Sequence, residues 1–287
     1  MNHRYMRFPE GKRKALTLSY DDGVEQDVQL MELLERYRVK CTFNLNSGCY
    51  PPEGTVYPAG TIHRRMPESA VSRLYRSPLA EVAGHSSTHP FLDQLAPSQA
   101  MKEIVDDRIR LEEQFEKLVR GFAYPYGTYS DVVVELLRAA GIVYARTVES
   151  HHSFKLPRDW LRLGATCHHD DPMLMELADE FVSQTPERDS WLFYLWGHSY
   201  EFEQHGNWNV IENFLKTVSG REDVWYATNL EVYDYCKAYE QLIFSADGKT
   251  VYNPSVLPVW CQFDDEIVEV GAGKTMRVKM EKLYEKR

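Results

Sequence analysis

Two adjacent carboxylates, Asp21 and Asp22, close a strand-like run and are followed by Gly23. His85 and His89 stand four residues apart in His85-Ser86-Ser87-Thr88-His89, where a helical turn would bring both imidazoles to one side. Two imidazoles and one carboxylate, with positions left open for water and substrate, make the kind of centre that holds a catalytic zinc or iron ion. Tyr126 lies in Pro125-Tyr126-Gly127, and His198 follows the apolar run WLFYLWG. Asp-Gly is also a common turn dipeptide, and a histidine after an apolar strand is more often a satisfied core residue. Each motif taken alone is therefore weak. Their joint placement carries the argument.

That placement depends on strands and helices that alternate along the chain. Residues 15–20 alternate Leu16, Leu18 and Tyr20 with Thr17 and Ser19, a period of two that predicts a strand. Further strands are expected over 40–45, 79–84, 121–124, 142–148, 160–166, 191–197 and 224–227. Helices are expected over 24–37, 98–119, 131–140, from Pro172 to about 184, 209–219 and 231–240, the third with Ser130 as N-cap and Gly141 past its end. The stretch 50–67 is rich in Pro and Gly and reads as a loop. Such alternation predicts a parallel sheet, open or closed, whose ligands gather at the carboxyl ends of the strands. Four of the expected strands run into Asp21-Asp22-Gly23, His85 to His89, Pro125 to Gly127, and His198. Four polar clusters on one rim are what a single active site requires. After about residue 241 the pattern changes to short β runs split by DG, NP, LP and GAG, with no helix before the charged tail.

In this order, SYDDG, HSSTH, YPYG and LWGH resemble the signature motifs of the polysaccharide deacetylase family, the NodB-like carbohydrate esterases. The resemblance spans roughly residues 13–235. It implies a distorted parallel (β/α) barrel, taken over 1–240, and the changed pattern beyond it predicts 241–287 as a small β-rich C-terminal extension packed on that barrel. It further implies that Asp22, His85 and His89 ligate a divalent metal ion, zinc by default, with cobalt, nickel or manganese as alternatives. By the same resemblance Asp21 is the general base and His198 the general acid. The Tyr126 N–H is the oxyanion donor, and Leu195 lies beneath the acetyl methyl of the substrate. These types suit amide hydrolysis, in which a poor electrophile is polarised, water loses a proton and the departing amine gains one.

Two departures accompany the resemblance. The family's third motif places an arginine beside the base, and this chain has Phe122-Ala123-Tyr124-Pro125 there; Arg146 and Arg162, both in expected strands, are the candidates to replace it. The family's aspartate that pairs with the acid histidine has only Asp159, in PRDW, as an approximate match. His168 and His169 end the strand 160–166 on the same rim, with a capping loop as the alternative reading. His151 and His152 are expected to be solvent-exposed. Trp196, Tyr200, Glu201 and Trp208 flank His198 and would either shape a sugar site or form a packed aromatic cluster.

Composition narrows the partners. With 33 Lys and Arg against 43 Asp and Glu, the chain is formally −10, the opposite of what phosphate-backbone binding needs. No nucleic-acid partner is expected. The five cysteines form no CxxC pair, which predicts reduced thiols. The N-terminal residues are basic without an apolar stretch behind them, and no run approaches a membrane span, so a cytoplasmic protein with no membrane partner is expected. The function expected is metal-dependent removal of N-acetyl groups from an amino sugar or its oligomers or polymers. The alternatives are hydrolysis of a non-sugar amide or an O-acetyl ester on the same site, or an inactive metal-containing sugar binder.

Overall fold

A computed structural model describes residues 4–264 and 266–278; the charged tail beyond them lies outside the described residues. The strands are β1 Arg4–Arg7, β2 Lys14–Asp21, β3 Cys41–Leu45, β4 Ala80–Gly84, β5 Gly121–Ala123, β6 Tyr144–Ser150, β7 Leu163–Ala165 and β8 Cys167–His168. They continue with β9 Trp191–Gly197, β10 Val224–Tyr226, β11 Ile243–Phe244, β12 Thr250–Tyr252, β13 Val259–Phe263, β14 Glu266–Val270 and β15 Thr275–Arg277. The α-helices are α1 Asp27–Tyr37, α2 Glu68–Leu74, α3 Pro97–Phe115, α4 Asp131–Ala139, α5 Leu174–Ser183, α6 Ser199–His205, α7 Asn209–Val218 and α8 Asn229–Glu240.

One sheet runs β7-β6-β5-β4-β3-β2-β9-β8, with β10 added on the start of β2, and every ladder in it is parallel. The two ends of this path, β7 and β8, are separated in the chain by Thr166 alone. One segment therefore pairs with β6 through its first half and with β9 through its second, which curls the sheet into a distorted barrel. The parallel sheet is what the alternation implied, and the distorted barrel is what the resemblance implied.

The period of two sorts side chains between the faces. Leu16, Leu18 and Tyr20 of β2 join Phe43, Phe193 and Leu195 in an apolar cluster shared with the helices, where all six are fully buried. Burying each such side chain stabilises the fold by roughly 1.5–3 kcal/mol. The alternate residues face inward and are polar. Thr17 donates to Asn229 Oδ1 (2.7 Å), Asn229 donates to the Tyr194 hydroxyl (2.8 Å), and Asn44 donates to Ser19 Oγ (2.8 Å). Glu81 accepts from the Tyr144 and Thr42 hydroxyls at 2.6 and 2.9 Å. A buried polar interior is tolerable because its groups are paired.

The remaining strands form two antiparallel three-stranded sheets, β1-β13-β14 and β11-β12-β15. Val259, Cys261 and Val270 share a second apolar cluster with Phe8, Leu192 and Tyr235. The fully buried Arg7 fastens β1 to its surroundings through Gln262 Oε1 (2.6 Å) and the Arg188 carbonyl (2.7 Å).

Local differences from the sequence reading have simple causes. The expected strand 160–166 begins as a 3-10 turn, Trp160–Arg162, because Asp159 caps it by accepting the Leu161 N–H. Two helices went unread: α2 buries only Val71 and α6 only Ser199 and Phe202, too few apolar positions to show a period. No helix among the described residues is long and apolar enough to cross a membrane.

Candidate active site

Asp21 is the last residue of β2, and the chain turns sharply after it, with positive φ at Asp22 (81°) and Gly23 (65°). His85 follows β4, Tyr126 sits in the turn after β5, Arg146 lies in β6 and His198 follows β9. All of them line one cavity of about 420 Å³ together with Asp22 and His89. The four polar clusters expected on one rim do meet. Asp22, His89 and Tyr126 hold positive φ without being glycine, and so does Ser86 between the two histidines. Such conformations cost of order 1–3 kcal/mol each and persist where the surroundings over-determine them, as at ligand sites.

The helical turn expected for His85 to His89 is absent. The segment is an irregular loop, left-handed at Ser86 and His89, and it still brings the two Nε2 atoms to 3.1 Å. Asp22, His85 and His89 each offer a ligand atom within 4.8 Å of the others. The Ala123 carbonyl accepts from His85 Nδ1 at 2.7 Å, so the Nε2 lone pair faces its neighbours. Burial lowers the His85 pKa, and burial together with His85 lowers that of His89 to about 4, so both rings are neutral at pH 7. Asp22 is ionised: burial opposes this, but His63 and Arg65 hold its pKa well below the usual range. Two neutral imidazoles and one carboxylate form a donor set that suits a divalent transition ion.

Asp21 is 2% exposed. Of the two candidate arginines, Arg146 supplies the cation: its Nη2 donates to Asp21 Oδ2, and its guanidinium lies 4.2 Å above the Trp196 ring. Arg162 is engaged elsewhere, on Asp159 and Asp131 at 2.6 Å each. Asn44 donates to Asp21 Oδ1 at 2.7 Å, a partner the sequence reading missed. Burial opposes the ionised form of Asp21, but Arg146, His85 and His198 outweigh it and lower the pKa.

His198 Nε2 stands 3.7 Å from Asp21 Oδ2, and its Nδ1 lies 3.3 Å from Glu201 Oε2. The carboxylate beside this histidine is therefore Glu201 of α6, three residues on, and not Asp159, which caps the turn at Leu161 and pairs with Arg162. Burial lowers the pKa of His198, yet Glu201 and Asp21 outweigh it and raise it above the ordinary value. His168 packs edge-on against Trp196 with ring centroids 4.5 Å apart.

Leu195 does not lie under the cavity. It shares the outward face with Phe193, is fully buried in the helix-side core, and Trp196 takes the inward position. Trp208 packs against Phe202. Tyr126 is half exposed, edge-on to His89 and stacked on Phe91 at 3.9 Å. The loop 50–67 contributes more than its composition announced: Arg65 donates to Asp22 Oδ1 (2.8 Å) and His63 Nε2 meets Asp22 Oδ2 (3.0 Å). Asp107 of α3 accepts the His85 and Ser47 backbone N–H groups at 3.0 and 2.8 Å. Its signal was legible in retrospect, a carboxylate among the buried positions Ala100, Ile104, Leu111 and Phe115.

A family model for polysaccharide deacetylases matches residues 8–145, which contain SYDDG, HSSTH and YPYG in order. Over this segment, just under half of the chain, the sequence is similar to the polysaccharide deacetylase family. The fourth motif, with His198, lies outside the match. Among solved structures, a Mycobacterium smegmatis protein assigned to the polysaccharide deacetylases superposes with a TM-score of 0.57 at 16% identity, over 81% of this chain and 93% of that one. A mutant of a Bacillus anthracis pseudoenzyme of carbohydrate esterase family 4, with restored enzymatic activity, superposes with a TM-score of 0.50 at 16% identity, over 80% and 70%. A Streptococcus pyogenes deacetylase solved with acetate is a looser match at 18% identity and a TM-score of 0.45; the overlap takes in 51% of this chain and 61% of that protein's length. At these identities the first two superpositions show likeness of fold alone.

Proposed function

We propose that this protein is a metal-dependent hydrolase that removes N-acetyl groups from an amino sugar or its oligomers or polymers. The observation that carries the proposal is the convergence, in one cavity, of a buried ionised Asp21, the donor set Asp22, His85 and His89, and a His198 whose pKa is raised by Glu201. The ion, zinc in the first instance, would be held by Asp22, His85 and His89 and, when bound, supplies a Lewis acid that polarises the carbonyl and acidifies water.

The chain's own groups perform the rest. Asp21 accepts the proton of the attacking water at Oδ2, with Arg146 and Asn44 fixing its orientation. The Tyr126 N–H is the proposed donor to the developing oxyanion. His198 gives the proton from Nε2 to the departing nitrogen, and Glu201 stabilises the charged ring at Nδ1. A raised pKa favours the protonated ring, the form that an amine leaving group needs more than an alkoxide does. The catalytic unit is proposed to span 1–240, with 241–287 as an extension. The five free cysteines support a reducing, cytoplasmic setting.

The test is acetate release by the full chain from N-acetylglucosamine oligomers, with acetylated xylan and cyclic amides alongside, before and after chelation and zinc restoration. Zinc-restored release from the N-acetyl substrates is expected. Release from xylan or cyclic amides alone moves the substrate class, and no release from any of them overturns the hydrolase reading.

A further inference from the structure

On the outer side of the barrel wall, behind His198, lies a second group of metal-ligating side chains. His168, His169, Asp170 and Glu201 each offer a ligand atom within 4.8 Å of the others. His169 Nε2 is 3.2 Å from Glu201 Oε2 and 3.5 Å from Asp170 Oδ1. Ligand atoms bonded at 2.0–2.2 Å around a tetrahedral ion stand about 3.3–3.6 Å apart, so these separations match a first coordination sphere.

His169 provides a second, independent observation. Its side chain is fully buried, and neither ring nitrogen has a hydrogen-bond partner among the described residues. The ring is pressed between Tyr20 and Phe202 and against the bare backbone of Gly197, where an added Cβ would fall 2.0 Å from Nδ1. Glu201 Oε2 stands 3.2 Å from Nε2 without hydrogen-bond geometry. That oxygen accepts the His198 backbone N–H at 3.1 Å and keeps a second lone pair free for a cation. An orphaned imidazole nitrogen in a buried site is destabilising, and a cation between Nε2 and two carboxylates would give that nitrogen a partner.

We propose that His169 Nε2, Asp170 and Glu201 form a second divalent-cation site, distinct from the set Asp22, His85 and His89. His168 is not a ligand here. Its Nδ1 accepts the Asp170 backbone N–H at 3.1 Å, which places its proton on Nε2, facing Glu201. His168 thus orients the Glu201 carboxylate from outside the coordination sphere. One imidazole and two carboxylates suit zinc or manganese, with the remaining positions left to water. Glu201 then links this ion to the His198 imidazole.

The experiment is equilibrium dialysis of the chelator-stripped full chain against Zn²⁺, with bound zinc counted per chain for wild type, Asp170→Asn, His169→Gln and Asp22→Asn. Two equivalents are expected for wild type and one for each variant, with the double variant Asp22→Asn/Asp170→Asn retaining none. Asp170 is partly exposed, so its variant tests the site even where the buried His169→Gln fails to fold by circular dichroism. One equivalent in wild type that Asp22→Asn abolishes overturns the second site and leaves the first intact. Two equivalents retained by both Asp170→Asn and His169→Gln also overturn it.

Discussion

Replacing Arg146 by Met tests whether Asp21 acts as the base and whether Arg146 tunes it. Met keeps an unbranched stem beneath Trp196 but removes the cation that contacts Asp21 Oδ2. Both partners are almost fully buried, at 1% and 2% exposure, so solvent does little to replace the lost charge. Breaking a buried pair by removing one partner costs about 3–5 kcal/mol. A charge pair about 4 Å apart at an effective dielectric of 20 interacts by about 4 kcal/mol, which corresponds to about three pKa units. The acid limb of the pH–rate profile for acetate release should therefore move up by about one to three units, the lower figure holding when the metal offsets part of the loss. Arg146→Lys, which keeps the charge, should move it much less. Stability follows the same logic. In wild type Asp21 has a lowered pKa, so it contributes stability that is present at neutral pH and lost as pH falls through the folded-state value. Without Arg146 burial dominates, so the variant's deficit in urea unfolding of the chelated protein should be largest near pH 7 and shrink toward pH 4. An acid limb that stays at the wild-type position with turnover retained refutes the reasoning.

Glu201→Gln should drop the His198 pKa and move the alkaline limb of kcat to lower pH, with a loss of about 10²-fold on an N-acetyl substrate and less on an ester; an unchanged limb would free His198 from Glu201. Asp107→Asn places an amide NH₂ against one of the two backbone N–H groups it now accepts, so zinc affinity at Asp22, His85 and His89 should fall about 10–100-fold by calorimetry. Asp27 is fully buried and its pKa is raised from 3.8 to about 7, chiefly by burial. The folded state keeps this proton while the unfolded state loses it, so wild-type stability should fall by up to roughly 4 kcal/mol between pH 4 and 7. Asp27→Asn can still accept from Val24 N–H and Tyr75 and donate to Ser199 Oγ, so its unfolding midpoint should be flatter across that range; an equally steep midpoint contradicts the assignment.

Much of the site was legible because strand ends are legible. The period of two in 15–20 placed Asp21 at a strand terminus, and the sheet order put β2 between β3 and β9, where SYDDG meets LWGH. The same period separates Trp196 from Leu195, so the inward residue could have been chosen by counting back from His198. What stayed hidden was set by tertiary contact. Arg65 and His63 come from a loop without period and reach Asp22 across more than 40 residues. Glu201 sits on a helix too short and polar to announce itself, and Arg7 meets Gln262 across 255 residues. The charges buried on apolar faces, Asp107 in α3 and Asp27 in α1, were the unused signal, since such residues stay buried only when something pairs with them.

The two neighbouring aspartates are held by different parts of the molecule, and this divides their roles. Asp21 belongs to the barrel interior. Asn44 links it to Ser19, and Arg146 reaches it from the far side of the sheet, so its rotamer is fixed without any ion. A base fixed in this way pays no reorganisation at the moment of proton transfer. Asp22 sits outside the ladder on a left-handed turn, and its carboxylate is held by Arg65 and His63 of the loop 50–67. Those contacts are with the two oxygens that would serve as metal ligands. An ion entering between Asp22, His85 and His89 must therefore compete with Arg65 and His63 for Asp22, while Asp21 stays where the barrel holds it. The loop thus governs how tightly the cation is bound, and the barrel governs what the neighbouring carboxylate does once it is there.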